Sequence, residues 1–373
     1  MIRLFSLILF VLFPYLSRSQ PTLSQLMLDS LVHTEGIIIK ENGGLTSIFS
    51  GGGIHFHCIG SSLKIVVEGK QKTKGQPDYI AIEVNGKYKG KLAIFNKQDT
   101  LTLDSFLTEQ HNRVKLLKIT EAMVGQIRVK SIFASKSTIL KPLQKQERQV
   151  LWIGNSLTCG YGNERIIEAP PLGNPSTGFH SINENNYYAW SSITSRKLAA
   201  EAFQLCWSGK GVYRNFDGSD TATMVHLTNQ ILKSGTSIED GLETWSPELI
   251  VINLGTNDFG PELYNKKDTV QKNKFISGYL SLLSTLNYSF PSAQILIVLG
   301  NALSDDFPSQ TYRLTRCRKY LKEIIRKKRS NKIHFFELTV QKGPYGEDWH
   351  PTIATHQLMS KEITKKIQKI MNW

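Results

Sequence analysis

The chain has 373 residues, long enough for two domains with separate cores. Its composition, 40% hydrophobic and 20% charged, is that of a globular protein and excludes a disordered one. The net charge of +14 comes mostly from scattered lysines and arginines. The one dense basic run, 316–329, follows a helical pattern without a nucleic-acid motif, so it reads as a solvated helix face and no nucleic-acid partner is expected.

Arg3 and an almost unbroken apolar run from Leu4 to Leu16 open the chain, and Ser17 and Ser19 are small enough for cleavage before Gln20. Residues 1–19 are therefore expected to be a secretory signal peptide, too short to span a membrane. The expectation is a secreted or periplasmic protein with no stable membrane insertion after cleavage. No cysteine sits at the cleavage point, so no lipid anchor is expected there. Cys58, Cys159, Cys206 and Cys317 lack regular spacing. A chain of this size needs no disulfide framework, so mostly buried free thiols are expected.

From 36 to 140 the pattern is β. Short runs rich in β-branched residues at 36–40, 54–58, 62–68, 79–84, 92–95, 100–103, 113–120 and 126–133 are punctuated by Asn42-Gly43-Gly44, Gly51-Gly52-Gly53 and Asn85-Gly86. About eight strands with no helix between them indicate an antiparallel sandwich of jelly-roll type, assigned to 20–140. Asn85-Gly86 marks a two-residue hairpin. The polar stretch 141–148 reads as a linker to a second domain over 149–373. There, apolar strands at 150–153, 202–206, 248–254, 294–299 and 332–337 alternate with helical patterns at 187–201, 223–234, 270–287, 312–328 and 353–371. That alternation predicts an α/β/α domain with a parallel sheet covered on both faces. Residues 164–186, with three prolines, form a long loop.

Four strand or loop ends carry residues with chemical potential. Gly154-Asn155-Ser156 follows the first apolar strand. The spacing fails the G-x-S-x-G elbow, because position 158 is Thr. A serine opening a helix can still direct its backbone N–H at a developing oxyanion. A plain turn and cap explain these residues equally well. Trp207-Ser208-Gly209-Lys210-Gly211 ends the next strand, and a glycine N–H there can approach a substrate oxygen. Gly255-Thr256-Asn257-Asp258 ends the most hydrophobic strand, and the Asn257 carboxamide can donate to an oxyanion. Glu347-Asp348-Trp349-His350-Pro351 precedes the last helix, whose first position suits Pro351. His350 there can accept a serine proton near neutral pH. His356 lies inside that helix and reads as structural. His55 and His57 share one strand face, but no third ligand is evident at useful spacing, so no metal site is expected.

In this order the blocks W-I-G-N-S-L-T-C-G-Y-G-N, W-S-G-K-G-V-Y-R-N, I-N-L-G-T-N-D-F and G-E-D-W-H-P-T-I-A-T-H resemble the SGNH (GDSL-type) hydrolase superfamily. Asn155 stands where many members have Asp. The resemblance is closest to carbohydrate esterase family 2, because G-G-G-I-H-F-H and L-K-I-T-E-A in the β domain are similar to that family's jelly roll. It implies Ser156 as nucleophile and His350 as general base. The implied oxyanion hole is the backbone N–H groups of Ser156 and Gly209 with the side chain of Asn257. Much of the superfamily has Asp three residues before the histidine, a place held here by Glu347. Members differ in whether a carboxylate or a backbone carbonyl steadies the ring, and Asp348 is the residue expected to do so here. Trp349 matches an aromatic that lines the acceptor-sugar cleft. No metal or organic cofactor is implied. The resulting expectation is a secreted serine esterase that removes O-acetyl groups from polysaccharides such as xylan or mannan. A non-catalytic carbohydrate-binding protein, or a lipid or thioester hydrolase on the same scaffold, stays open as an alternative.

Overall fold

The computed structural model describes residues 24–373 apart from 27, 42, 96, 109, 136–137, 169–175 and 234–244. The expected signal peptide, 1–19, lies outside the described residues. Strand alternation builds the N-terminal half: in Leu63–Gln71, the side chains of Leu63, Ile65 and Val67 are buried while those between them are partly exposed. Two antiparallel sheets of six strands each face one another across an aliphatic core. One runs Ile38–Glu41, Gly44–Ser47, Gly125–Ala134, Leu63–Gln71, Gln98–Thr102, with Ser24–Leu26 also pairing with Gly125–Ala134. The other runs Ile139–Pro142, Gly53–Ile59, His111–Lys118, Asp78–Val84, Lys87–Ile94, with His33–Glu35 also on Gly53–Ile59. Asn85 and Gly86 both have positive φ, 54° and 75°, as a type I′ hairpin requires.

The sandwich runs further than its apolar pattern suggests. Ile139–Pro142 pairs antiparallel with the far end of Gly53–Ile59, taking in residues 141 and 142 that read as linker. It is an edge strand, where a proline without an N–H is tolerated and little apolar alternation is needed.

The second half is a five-stranded parallel sheet in the order Ala200–Cys206, Arg148–Gly154, Leu249–Asn253, Gln294–Leu299, Ile333–Glu337. Its alternate side chains feed two cores. Leu151, Ile153, Ile250, Ile252, Ile295 and Ile297 pack against the helices Lys272–Ser289 and Arg313–Lys328. Val150, Trp152, Leu249, Val251, Leu296 and Val298 pack against Trp190–Lys197 and Ile353–Met371. The helix predicted over 187–201 is shorter than expected. It stops at Lys197, and the chain reverses through a left-handed Ala199 into the strand starting at Ala200. Because the first strand has its chain successors on opposite sides, the sheet's switch point lies at the C-terminal end of Arg148–Gly154.

The two halves are fastened together. Ile37, Phe49 and Ala122 of the sandwich join one core of the parallel-sheet domain. His33 Nε2 lies 2.6 Å from Glu201 Oε1, and the Glu35 carboxylate accepts a 2.9 Å bond from Ala202 N–H. All four cysteines are buried free thiols. Among the described residues no helix is long and apolar enough to cross a membrane.

Candidate active site

Three neighbouring strands end in register, with Gly154 opposite Cys206 on one side and Asn253 on the other. Gly154 has to be glycine, since a Cβ would stand 2.0 Å from Thr158 Oγ1. The chain turns there, and the Asn155 side chain caps the next helix by accepting from Leu157 N–H at 3.1 Å. That helix, Ser156–Cys159, begins with Ser156, whose N–H therefore has no intrahelical acceptor.

Beside it, residues 207–210 form a turn closed by Lys210 N–H donating to Trp207 C=O at 3.3 Å. Gly209 has φ 76° at the third position, the signature of a type II turn. A Cβ on Gly209 would meet nothing within 4 Å, so backbone conformation, not space, calls for glycine. Asn257 opens the short helix Asn257–Phe259, and its Nδ2 donates one hydrogen to Lys210 C=O at 2.9 Å. The amide carries a second hydrogen for another acceptor. Asp258 ties the same two segments by accepting from the N–H groups of Val212, Tyr213 and Arg214 at 2.9, 3.0 and 3.3 Å. Burial pushes its carboxyl up to about 6 against the pull of those bonds.

His350 comes from the other side. Its Nε2 lies 2.7 Å from Ser156 Oγ, and its Nδ1 lies 2.9 Å from the backbone carbonyl of Glu347. A carbonyl can only accept, so Nδ1 carries the proton and Nε2 is left to accept from the serine hydroxyl. The Tyr161 ring stacks on the imidazole at 4.3 Å between centroids and 29° between planes. Burial holds the His350 pKa below its ordinary value, opposed by the Glu347 carbonyl and the Asp348 charge. The ring is therefore neutral at neutral pH.

The sequence expectation for Asp348 needs correcting, because its carboxylate makes no bond to the imidazole. It accepts instead from Tyr161 O–H and Thr177 N–H, both at 2.6 Å, and from Ser176 Oγ at 3.0 Å and Gly178 N–H at 3.2 Å. Asp348 and Trp349 are both left-handed, with φ 48° and 60°. That turn brings the Glu347 carbonyl, not the next carboxylate, to Nδ1. Burial pushes the Asp348 carboxyl up, but the Tyr161, Thr177 and Ser176 donors outweigh it and leave it below the usual carboxylate range. The fully buried carboxylate of Glu347 accepts from His180 N–H at 3.0 Å and Asn183 Nδ2 at 2.6 Å. Residues 176–183 of the long loop thus grip the histidine turn.

Trp349 is half-buried beside His350, its carbonyl accepting from Gln341 Nε2 at 2.6 Å. His356 is structural, as its helical position suggests. It is fully buried and accepts from Trp190 N–H at 3.2 Å, and burial pushes its pKa down to about 3. Sequence reasoning passed over Tyr161, Gly162 and Glu121. Gly162 lets the histidine turn dock: a Cβ there would lie 2.4 Å from Glu347 Cβ, and its carbonyl accepts from Glu347 N–H at 3.1 Å. The signal was the G-Y-G-N that follows the serine, which needs an explanation beyond capping a four-residue helix.

Residues 150–363 match the family model for GDSL-like lipase/acylhydrolases, more than half of the chain. The chain belongs to that family. Residues 37–142 match the model for the carbohydrate esterase 2 N-terminal domain, so the chain has the two-domain form of carbohydrate esterase family 2. The cellulase/esterase CelE of Acetivibrio thermocellus is 30% identical over 339 residues, covering 90% of this chain and 39% of that protein. The chain therefore spans about two fifths of the length of that relative. An acetylxylan esterase / glucomannan deacetylase of Cellvibrio japonicus is 24% identical over 337 residues, 88% of each chain. Among solved structures, a family two carbohydrate esterase from Clostridium thermocellum in complex with cellohexaose is 28% identical with a TM-score of 0.78. The match covers 92% of this chain and 99% of that one. A family two carbohydrate esterase from Cellvibrio japonicus, 21% identical over 95% and 99% of the two chains, shares the fold with a TM-score of 0.80.

Proposed function

We propose that this protein is a secreted serine esterase that removes O-acetyl groups from polysaccharides. The observation that carries the proposal is the 2.7 Å approach of His350 Nε2 to Ser156 Oγ, with Nδ1 anchored on a carbonyl. Ser156 Oγ attacks the acetyl carbonyl as His350 takes its proton. The carbonyl oxygen gains negative charge and is received by the N–H groups of Ser156 and Gly209 and the free amide hydrogen of Asn257. His350 then passes its proton to the departing sugar oxygen, leaving acetyl-Ser156. In the second half, His350 takes a proton from water, which attacks the acyl group. Acetate leaves, and the proton returns to Ser156 Oγ.

The names of the relatives support a glycan substrate of the acetylxylan or acetylglucomannan class. Trp349, beside the base, is proposed to line the sugar cleft, where an aromatic face suits the apolar face of a pyranose. Secretion rests on the apolar run of residues 1–19. To test the reading, acetate release from acetylated xylan and glucomannan is compared for wild type and Ser156→Ala. A loss of at least about 10³-fold is expected. Equal release by the two proteins would overturn it.

A further inference from the structure

One side chain of the sandwich reaches into the chemistry of the other domain. Glu121 is fully buried, and its carboxylate accepts from Ser208 N–H at 2.6 Å and from the Ser208 hydroxyl. The Cys159 thiol, at the end of the helix that Ser156 opens, lies 3.8 Å from the same carboxylate and donates to it. One carboxylate therefore holds both the residue before Gly209 and the helix of the proposed nucleophile. Its own backbone is fixed in turn: Glu121 N–H donates to Glu184 Oε2 at 3.1 Å, and Lys118 Nζ donates to Glu121 C=O at 3.1 Å. Lys118, fully buried, pairs with Asp78 at 2.8 Å.

We propose that Glu121 is a positioning residue for the oxyanion donors, holding the 207–210 turn in the form that aims Gly209 N–H at the substrate. The inference rests on the esterase reading and on Gly209 as a donor. The Ser208–Gly209 peptide is the central peptide of a type II turn, and its rotation by half a turn converts such a turn to type I. That rotation would point Gly209 N–H the other way. Asn257 pins the far end of the turn at Lys210 C=O, and Phe216 N–H holds Gly209 C=O at 2.8 Å. The near end is held through Ser208, by Glu121. A buried carboxylate is costly unless its acceptor sites are filled, and here site loops fill them. Glu121, Cys159 and Glu184 are also close enough to hold a metal ion, but the Glu121 oxygens are already occupied by Ser208 and Cys159. Burial pushes up both the Glu121 and Glu184 carboxyls, and the Ser208 donors pull Glu121 back down.

The test uses the full-length mature protein and an aryl acetate. Glu121→Ala is expected to lower kcat roughly ten- to a hundredfold with KM within about twofold, below the full loss of an oxyanion donor. Glu121→Gln, whose carboxamide oxygen still accepts from Ser208 N–H, should recover to within about threefold of wild type. Combined with Asn257→Ala, the Glu121→Ala loss should be smaller than it is alone, because both act on one oxyanion. If Glu121→Ala fails to fold, Ser208→Ala removes only the hydroxyl bond and should cost kcat about three- to tenfold. Wild-type kcat in folded Glu121→Ala, or in Ser208→Ala where Glu121→Ala does not fold, overturns the proposal. So does equal damage in Glu121→Ala and Glu121→Gln with KM raised in parallel, the pattern of general loosening. Ser156→Ala separates the two levels. If it is inactive while Glu121→Ala is unimpaired, only the Glu121 inference fails. If Ser156→Ala stays active, the esterase reading fails and takes this one with it.

Discussion

The two sides of the site are built by different physics. The serine and the proposed oxyanion donors stand just beyond three parallel strands whose ends line up residue for residue, so the backbone hydrogen bonds of a sheet set their spacing. The histidine stands on a turn with two consecutive left-handed residues that are not glycine, Asp348 and Trp349. Such a conformation costs about 1–3 kcal/mol per residue and persists only where surrounding contacts over-determine it. Here the side chains of Glu347 and Asp348 supply those contacts, fastening the turn to residues 176–183 and to Tyr161. The lesson is that acidic residues next to a histidine can serve its geometry without touching it. On the sheet side the loss of a donor should cost most and the loss of a group that holds a donor less; the turn side should depend on many modest bonds at once.

The largest effect is expected on the sheet side. Asn257→Ala should lower kcat by roughly 10²- to 10³-fold with little change in KM, because the amide hydrogen is used only as charge develops on the oxygen. A matching rise in KM would mean that the amide binds ground-state substrate instead. On the turn side the expected effect is a displaced profile. His350 must be neutral to take the serine proton, so kcat/KM falls as pH drops through its pKa. Burial holds that pKa below the ordinary value, so the midpoint of the acid limb should lie below about 6.5. A midpoint above the ordinary histidine value would mean that a carboxylate charge dominates the ring.

The parts of this arrangement that follow simple periodicity were legible from residues alone. The Gln294–Leu299 strand and the Ile353–Met371 helix have the bounds their patterns predict, because each buries a regular face. The edge strand Ile139–Pro142 and the four-residue strand Gly44–Ser47 inside the other sheet were not legible, since each is held by its partners more than by its own apolar content. Ser156 and His350 were legible as a pair through the order of four blocks. Which group faces Nδ1 was not, because a left-handed turn decides between a side chain and a carbonyl one residue apart. Glu121 was hidden for another reason: its partners lie 38 and 87 positions away in the other domain, and no local spacing encodes such a contact.

The smallest predicted effect discriminates most sharply. Asp348→Asn keeps the size of the side chain and removes its charge. With a carbonyl steadying His350, kcat/KM should fall by no more than about tenfold, the scale of one or two weakened hydrogen bonds in the turn. Where a carboxylate holds the histidine directly, the same exchange costs about 10⁴-fold. A loss near that size in Asp348→Asn, with the fold intact by thermal melting, would contradict the assignment of the Glu347 carbonyl as the partner of Nδ1.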